Sequence, residues 1–259
     1  MHGLGNDFVV IDARVSDAVI NPALARALGD RRTGIGFDQL ILLLPSTVAD
    51  LRMRIWNPDG GEVESCGNAA RCVVALTGAA TIETDGGVIG GSTDGDTVEV
   101  ELVEPRFEWD LIPLAYAMDT AALPLAWDEL AAPMAVNVGN PHVVFFVDAV
   151  DEARLLALGP IIEHDPAFPA RINVNLASTG TDGITLRTWE RGAGLTLACG
   201  TGACATAIAA IVQKRAASPV RVRMKGGELT IAWAPGEAVR MRGPATHVYS
   251  GEIDLAACS

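Results

Sequence analysis

The chain has 259 residues, 49% of them hydrophobic, and a formal net charge of −13. That length allows one large domain or two smaller ones, each able to bury a core of its own. The acidic balance repels polyanions at long range, which argues against nucleic acid or an anionic membrane as partner and leaves a small zwitterionic ligand compatible.

From the N-terminus, short apolar or alternating runs bounded by Gly, Pro and Asp predict strands over 7–12, 40–44, 51–56 and 97–103. Pro22 just inside a start and Gly29 just past an end predict a short helix over 21–28. Residues 67–78 are rich in Ala, Val and Cys with little charge, the pattern of a buried helix, here beginning at Cys66. Gly86-Gly87 and Gly90-Gly91 read as turn glycines. The second half predicts strands over 142–147, 184–189, 220–224, 228–233 and 238–241, and a second buried helix over 200–216 that begins at Cys199. Pro105 and Pro113 flank a change of segment, so the expected division is 1–108, with 245–259 returning to it, and 109–244. The longest apolar stretch near the start, 40–44, falls far short of the roughly 20 residues of a membrane helix. No signal-like segment opens the chain, and a cytoplasmic location is expected.

The chain also resembles itself. Gly5-Asn6-Asp7-Phe8-Val9-Val10 returns as Gly139-Asn140-Pro141-His142-Val143-Val144, an offset of 134 from Gly5 to Gly139. Arg54-x-Trp56 followed by Cys66-Gly67-Asn68-x-Ala70 returns as Arg187-x-Trp189 followed by Cys199-Gly200-Thr201-x-Ala203, an offset of 133 from Cys66 to Cys199. Turn dipeptides recurring by chance would account for neither the shared offset nor the repeated Arg-x-Trp. Duplication of one strand-rich unit does.

Five cysteines, at 66, 72, 199, 204 and 258, are an odd number in a chain of ordinary globular size, which speaks against a disulfide framework. Zinc is the competing reading. On a helix of about 3.6 residues per turn, partners five or six positions apart diverge by roughly 120–140° in azimuth, too far to share one ion. Cys72 and Cys204 therefore read as small buried hydrophobes and Cys258 as a tail residue, and no metal is expected.

Cys66 and Cys199 differ from the others by standing where a helix begins. A thiol with an ordinary pKa of about 8.5 is acidified there by unpaired N–H groups and the helix dipole. The same N–H groups can hold a ligand carboxylate. If the duplicated halves face one cleft, one thiolate can remove a Cα proton while the other thiol protonates the opposite face, which inverts the centre. Pyridoxal phosphate would need a lysine, and the only two, Lys214 and Lys225, sit in a polar helix end and a Gly-Gly turn. No cofactor is expected.

Other residues carry two readings. His142 is by default a satisfied core histidine, but it stands in a Gly-Asn-Pro-His turn. Glu190-Arg191 can be a solvated pair, yet an Arg fork suits a carboxylate and a Glu can bias a thiol's protonation. Asn6, Asn57, Asn68, Asn140 and Asn173 are turn residues one by one and, together, a neutral hydrogen-bonding wall for a zwitterion.

The chain resembles the diaminopimelate epimerase family over nearly its whole length. The resemblance is carried by His2-Gly3-Leu4-Gly5-Asn6-Asp7-Phe8, Gly34-Ile35-Gly36-Phe37-Asp38-Gln39, Asn57-Pro58-Asp59-Gly60, Cys66-Gly67-Asn68-Ala69-Ala70-Arg71-Cys72, Gly139-Asn140-Pro141-His142, Asn173-Val174, Glu190-Arg191-Gly192-Ala193-Gly194 and Ala198-Cys199-Gly200-Thr201-Gly202-Ala203. It implies an α+β fold of two pseudo-symmetric domains, each an antiparallel sheet or barrel wrapped around a central helix, with the site in the cleft between them. It implies interconversion of LL- and meso-2,6-diaminoheptanedioate without cofactor or metal, on the route to lysine and peptidoglycan. Cys66 and Cys199 match the acid/base pair, and His142 and Glu190 match positions that tune it. Asn6, Gln39, Asn57, Gly67, Asn68, Asn140, Asn173, Glu190, Arg191, Gly200 and Thr201 match substrate contacts. A homodimer is implied, with Tyr249 in the segment resembling its contact. The chain departs from the pattern at Leu195, where the family commonly has a polar or acidic residue, and at its start, where members usually carry several residues more. A proline or hydroxyproline racemase or another isomerase of the same fold, and a non-catalytic thiol-based binding or redox-sensing protein, are the alternatives.

Overall fold

Helices begin in this chain where a capping group meets an apolar run, and strands where β-branched and long apolar residues alternate. The computed structural model describes residues 1–258, so Ser259, the end of the predicted returning segment, lies outside the described residues. The α+β fold is sheet-rich and divides into two units, Met1–Glu101 with 243–258, and Leu102–Arg242.

In the first unit the strand Asn6–Asp12 pairs antiparallel with His2–Gly3 and parallel with Gln39–Leu44, Phe8 lying opposite Gln39. Gln39–Leu44 continues antiparallel to Leu51–Trp56, which runs parallel to Thr81–Thr84, and this leads antiparallel to Gly87–Asp94 and Thr97–Glu101. The second unit repeats this order. Pro141–Phe146 pairs antiparallel with Met134–Asn137 and parallel with Asn173–Gly180, His142 lying opposite Asn173. Gly183–Glu190, Val220–Met224 and Gly227–Ala232 follow by an antiparallel, a parallel and an antiparallel step. The offset between Phe8 and His142, and between Gln39 and Asn173, is the 134 read from the sequence repeat.

The strand pairing around each central helix is mixed, where a purely antiparallel one was expected. The parallel steps follow from the connections, because adjacent parallel strands need a crossover. Helix α1, Pro22–Gly29, supplies one, capped by the Asn21 side chain on Leu24 N with Pro22 in the first turn. Helix α2, Gly67–Thr77, supplies another, with Cys66 as its N-cap and Gly78 in a left-handed C-cap at φ 70°. Every residue from Gly67 to Val74 is buried. In the second unit, α3, Glu152–Glu163, and α4, Gly200–Val212, take the same places, and α4 is buried from Gly202 to Ala210. A helix apolar on all sides is stable only as the centre of its unit, which is where the strands hold α2 and α4.

The strands Thr81–Thr84, Met134–Asn137 and Asn173–Gly180 were not predicted, and further details have a packing reason. Gly90 and Gly91 lie inside the strand Gly87–Asp94, not in a turn. A Cβ at Gly91 would stand 2.4 Å from Val74 Cγ2, so glycine there lets α2 settle onto the sheet. Helix α3 was not predicted, because Gly159-Pro160 reads as a break. It forms because Asp151 caps Ala153 N, and Leu155, Leu158, Gly159, Ile162 and Glu163 recur on one buried face. Leu195, the departure noted above, packs with Trp189 against the core cluster around Leu155, Val174 and Leu176, which is why an apolar side chain suits it.

Candidate active site

In the first unit Cys66 is the N-cap of α2, half-buried, with extended backbone at φ −147°. Gly67 is the first helical residue, and no acidic side chain stands in the first turn to oppose an anion. Beside this turn, Asn68 Nδ2 donates to Asn6 Oδ1 at 3.3 Å, and Asn6 Nδ2 donates to Asp38 Oδ2 at 2.9 Å. Arg31 forks onto Asp7 at 2.8 Å and reaches Asp38 at 2.8 Å, which lowers the Asp7 pKa and braces the carboxylate that orients Asn6. Gln39 Nε2 donates to Asn57 Oδ1 at 3.1 Å. Among the described residues no donor reaches Gln39 Oε1 or Asn68 Oδ1, both buried acceptors, a pattern suited to a ligand that brings N–H groups.

In the second unit Cys199 is the N-cap of α4 and 3% exposed. Its Sγ accepts from Gly202 N at 3.3 Å and lies 3.5 Å from Thr201 Oγ1. Burial pushes the Cys199 thiol well above its ordinary range, and Glu190, which is charged and hydrogen-bonded to the sulfur, pushes further. The Thr201 hydroxyl and the Gly202 N–H oppose both. The balance favours the protonated thiol, the reverse of the acidification expected at a helix start. Glu190 is steadied by the Thr196 hydroxyl at 2.5 Å.

Around Cys199, Asn173 ties two turns together. Its Nδ2 donates to Pro141 O at 2.8 Å and its Oδ1 accepts from Arg191 N at 2.9 Å. Buried Glu163 of α3 accepts from Trp189 Nε1 at 2.7 Å and Gly192 N at 2.9 Å, fixing the Glu190-Arg191 turn from below. The Arg191 guanidinium stays exposed, bonded to Ala170 O at 3.0 Å. His142 is fully buried, with Nε2 on Asn140 Oδ1 at 2.8 Å and Nδ1 on Asn175 Nδ2 at 3.0 Å. Burial and the nearby Arg191 charge push its pKa down to about 3, so the ring is neutral.

The structure thus places Asn6, Gly67 and Asn68 at the Cys66 turn, pairs Gln39 with Asn57 in the same unit, and links Asn140, His142, Asn173, Glu190, Arg191, Gly200 and Thr201 around the Cys199 turn. Sequence reasoning missed Asp38, Glu163, Asn175, Thr188 and Thr196. Asp38 sits inside a quoted motif and was legible there, whereas the others act through cross-strand or helix-to-sheet partners. Cys72 is buried in α2 with its pKa pushed up to about 12 by desolvation, and Cys204 is likewise buried, as small hydrophobes of the helix interior.

A sequence profile described as Diaminopimelate epimerase matches residues 1–108 and 134–248. The chain is 64% identical over 260 residues to a diaminopimelate epimerase of Rhizorhabdus wittichii, covering 99% of this chain and 95% of that one. The chain belongs to the diaminopimelate epimerase family. Another member, from Sphingopyxis alaskensis, is 60% identical over 258 residues, covering 99% of this chain and 96% of its own. Among solved structures, a probable proline racemase from Agrobacterium radiobacter superposes with a TM-score of 0.68 at 16% identity, covering 98% of this chain and 92% of that one; at that identity it speaks for the fold.

Proposed function

We propose that this chain interconverts the LL and meso forms of 2,6-diaminoheptanedioate by proton transfer at Cα, in lysine and peptidoglycan biosynthesis. The observation that carries the reading is the pair of N-cap cysteines at repeat-equivalent positions, Cys66 on α2 and Cys199 on α4. One thiolate takes the Cα proton and becomes a thiol; the other thiol gives its proton to the carbanion and becomes a thiolate, so each turnover exchanges their states. The burial of Cys199 beside Glu190 supports Cys199 as the resting acid and Cys66 as the resting base.

The substrate is a zwitterion at both ends. Its ammonium groups suit the buried acceptors Gln39 Oε1 and Asn68 Oδ1, and its carboxylates suit Arg191 and the helix starts at Gly67 and Gly200. The same reading makes the chain a cytoplasmic homodimer with Tyr249 at the contact, a side chain that is 68% exposed. Sedimentation at several concentrations decides the dimer.

Proton NMR of the chain with LL-diaminopimelate in deuterated water, without added cofactor, tests the reaction. Meso product with deuterium at the inverted Cα is expected. Folded, reduced protein that turns over proline or hydroxyproline and not diaminopimelate would move the assignment to the racemase alternative.

A further inference from the structure

Asn175 belongs to none of the motifs above, yet it is fully buried on the strand Asn173–Gly180, opposite Thr188 across the antiparallel ladder. Its Nδ2 has two hydrogens and two partners, Val143 O at 3.0 Å and His142 Nδ1 at 3.0 Å. Its Oδ1 accepts the Thr188 hydroxyl at 2.9 Å. A carbonyl oxygen can only accept, so Val143 O determines which end of the Asn175 amide is nitrogen, and the Thr188 hydroxyl agrees. The second Nδ2 hydrogen then falls on His142 Nδ1, which must offer a lone pair. A neutral imidazole has one N–H, and here it sits on Nε2. Nε2–H donates to Asn140 Oδ1 at 2.8 Å, so the Asn140 amide turns its NH₂ end away from the histidine.

We propose that Thr188, Asn175 and His142 form a buried chain of one-way hydrogen bonds that locks His142 as its Nε2–H tautomer and thereby presents the NH₂ group of Asn140 to a substrate carboxylate. Thr188 and Asn175 are positioning residues that act through His142. With the opposite tautomer, Asn140 would present a carbonyl oxygen, which repels a carboxylate. The lock rests on three side chains that carry no charge, so it holds across the neutral range, and the burial that makes His142 a very weak base agrees with it. Both ring nitrogens being taken, His142 serves as a spacer in this chain and exchanges no proton with Cys199. The chain also lies directly under the Cys199 turn. A Cβ on Gly202 would stand 2.7 Å from Asn175 Oδ1 and 2.8 Å from Thr188 Oγ1, and it is the Gly202 N–H that holds Cys199 Sγ.

The carboxylate part of this proposal rests on the epimerase reading; the tautomer part does not. The test is two-bond ¹H–¹⁵N NMR of the full chain labelled at histidine, the His142 signals being assigned by their loss in His142→Gln. The expected result is a protonated Nε2 and a lone-pair Nδ1 that do not change across the neutral range; a proton on Nδ1, or an imidazolium, overturns the proposal. Asn175→Asp replaces the donor with an acceptor, so His142 Nδ1 should gain a proton in the same spectrum. KM for diaminopimelate should rise about tenfold or more, with a smaller change in kcat, as expected for a lost charge-assisted ground-state contact. Should that variant fail to fold, Thr188→Val, which keeps the shape and removes only the hydroxyl, should raise KM in the same direction by a smaller factor. An unchanged KM in the folded variant overturns the link to Asn140. Wild-type protein with the expected spectrum but no turnover of diaminopimelate would instead overturn the substrate assignment.

Discussion

Gly202 donates its backbone N–H to Cys199 Sγ at 3.3 Å, and the space its missing side chain leaves is closed by Asn175 Oδ1 at 2.7 Å and Thr188 Oγ1 at 2.8 Å from an ideal Cβ. One residue therefore serves the sulfur with its backbone and the buried amide chain with its lack of a side chain. Gly202→Ala should cost about 1–3 kcal/mol in urea unfolding, the usual penalty of an added carbon in a packed site. It should also reduce epimerisation, since the displaced groups flank Cys199, the acid of the proposed mechanism. A variant as stable and as active as the wild type would show that this contact can relax freely.

The two cysteines should differ in chemical access. Cys66 is half-buried, whereas Cys199 is 3% exposed and hydrogen-bonded to Glu190 and Gly202 N. Iodoacetamide followed by peptide mass spectrometry should label Cys66 well before Cys199. Equal rates would contradict the resting states proposed for the pair. Cys66→Ala and Cys199→Ala should each lower turnover by about 10²–10⁴-fold, the range for a general acid or base. Full activity in either would remove the two-base mechanism.

His142 makes stability depend on pH. Its folded pKa is pushed down to about 3 from an ordinary 6.5, chiefly by burial and also by Arg191. Between those values the unfolded chain binds a proton that the folded one refuses, so this contribution is complete above 6.5 and is lost as pH falls toward 3. The slope approaches about 1.4 kcal/mol per pH unit within that window. His142→Gln should flatten the wild-type curve by this amount, read as the difference between the two proteins in urea melts at several pH values. Parallel curves would mean that His142 titrates in the folded chain as it does in the unfolded one.

Gly91 tests the packing of α2. Gly91→Ala places a carbon 2.4 Å from Val74 Cγ2 and 3.2 Å from Ala79 O. The expected loss is about 1–3 kcal/mol. Val74→Ala in the same chain should recover part of it, a coupling that a double-mutant cycle measures directly. Strict additivity would place the strain elsewhere, at the Ala79 carbonyl.

Much of this protein was readable from the order of its residues. Cys66 and Cys199 stand at helix starts because a low-charge, Ala-rich run follows each, and both are N-caps in the structure. The repeated Arg-x-Trp and Cys-Gly spacings carried the duplication, and strand order repeats with them. These are local properties, set by side-chain chemistry at fixed separations along the chain. Helix α3 was legible in its buried i, i+3, i+4 pattern but masked by Gly159-Pro160, whose breaking tendency is outweighed by burial of that face. The interior glycines of Gly87–Asp94 could not be told from turn glycines, since the reason for Gly91 is a helix 17 residues earlier at Val74. The same holds for the support of the site. Asn175 meets Thr188 only through the antiparallel register, and meets His142 and Val143 only through the parallel register of Pro141–Phe146 with Asn173–Gly180. The sequence alone determined which groups are available for chemistry, because a thiol, an amide or a guanidinium carries its reactivity wherever it stands. Only the tertiary structure decided which of their atoms point where, because hydrogen-bond direction depends on partners brought together by sheet register and helix packing.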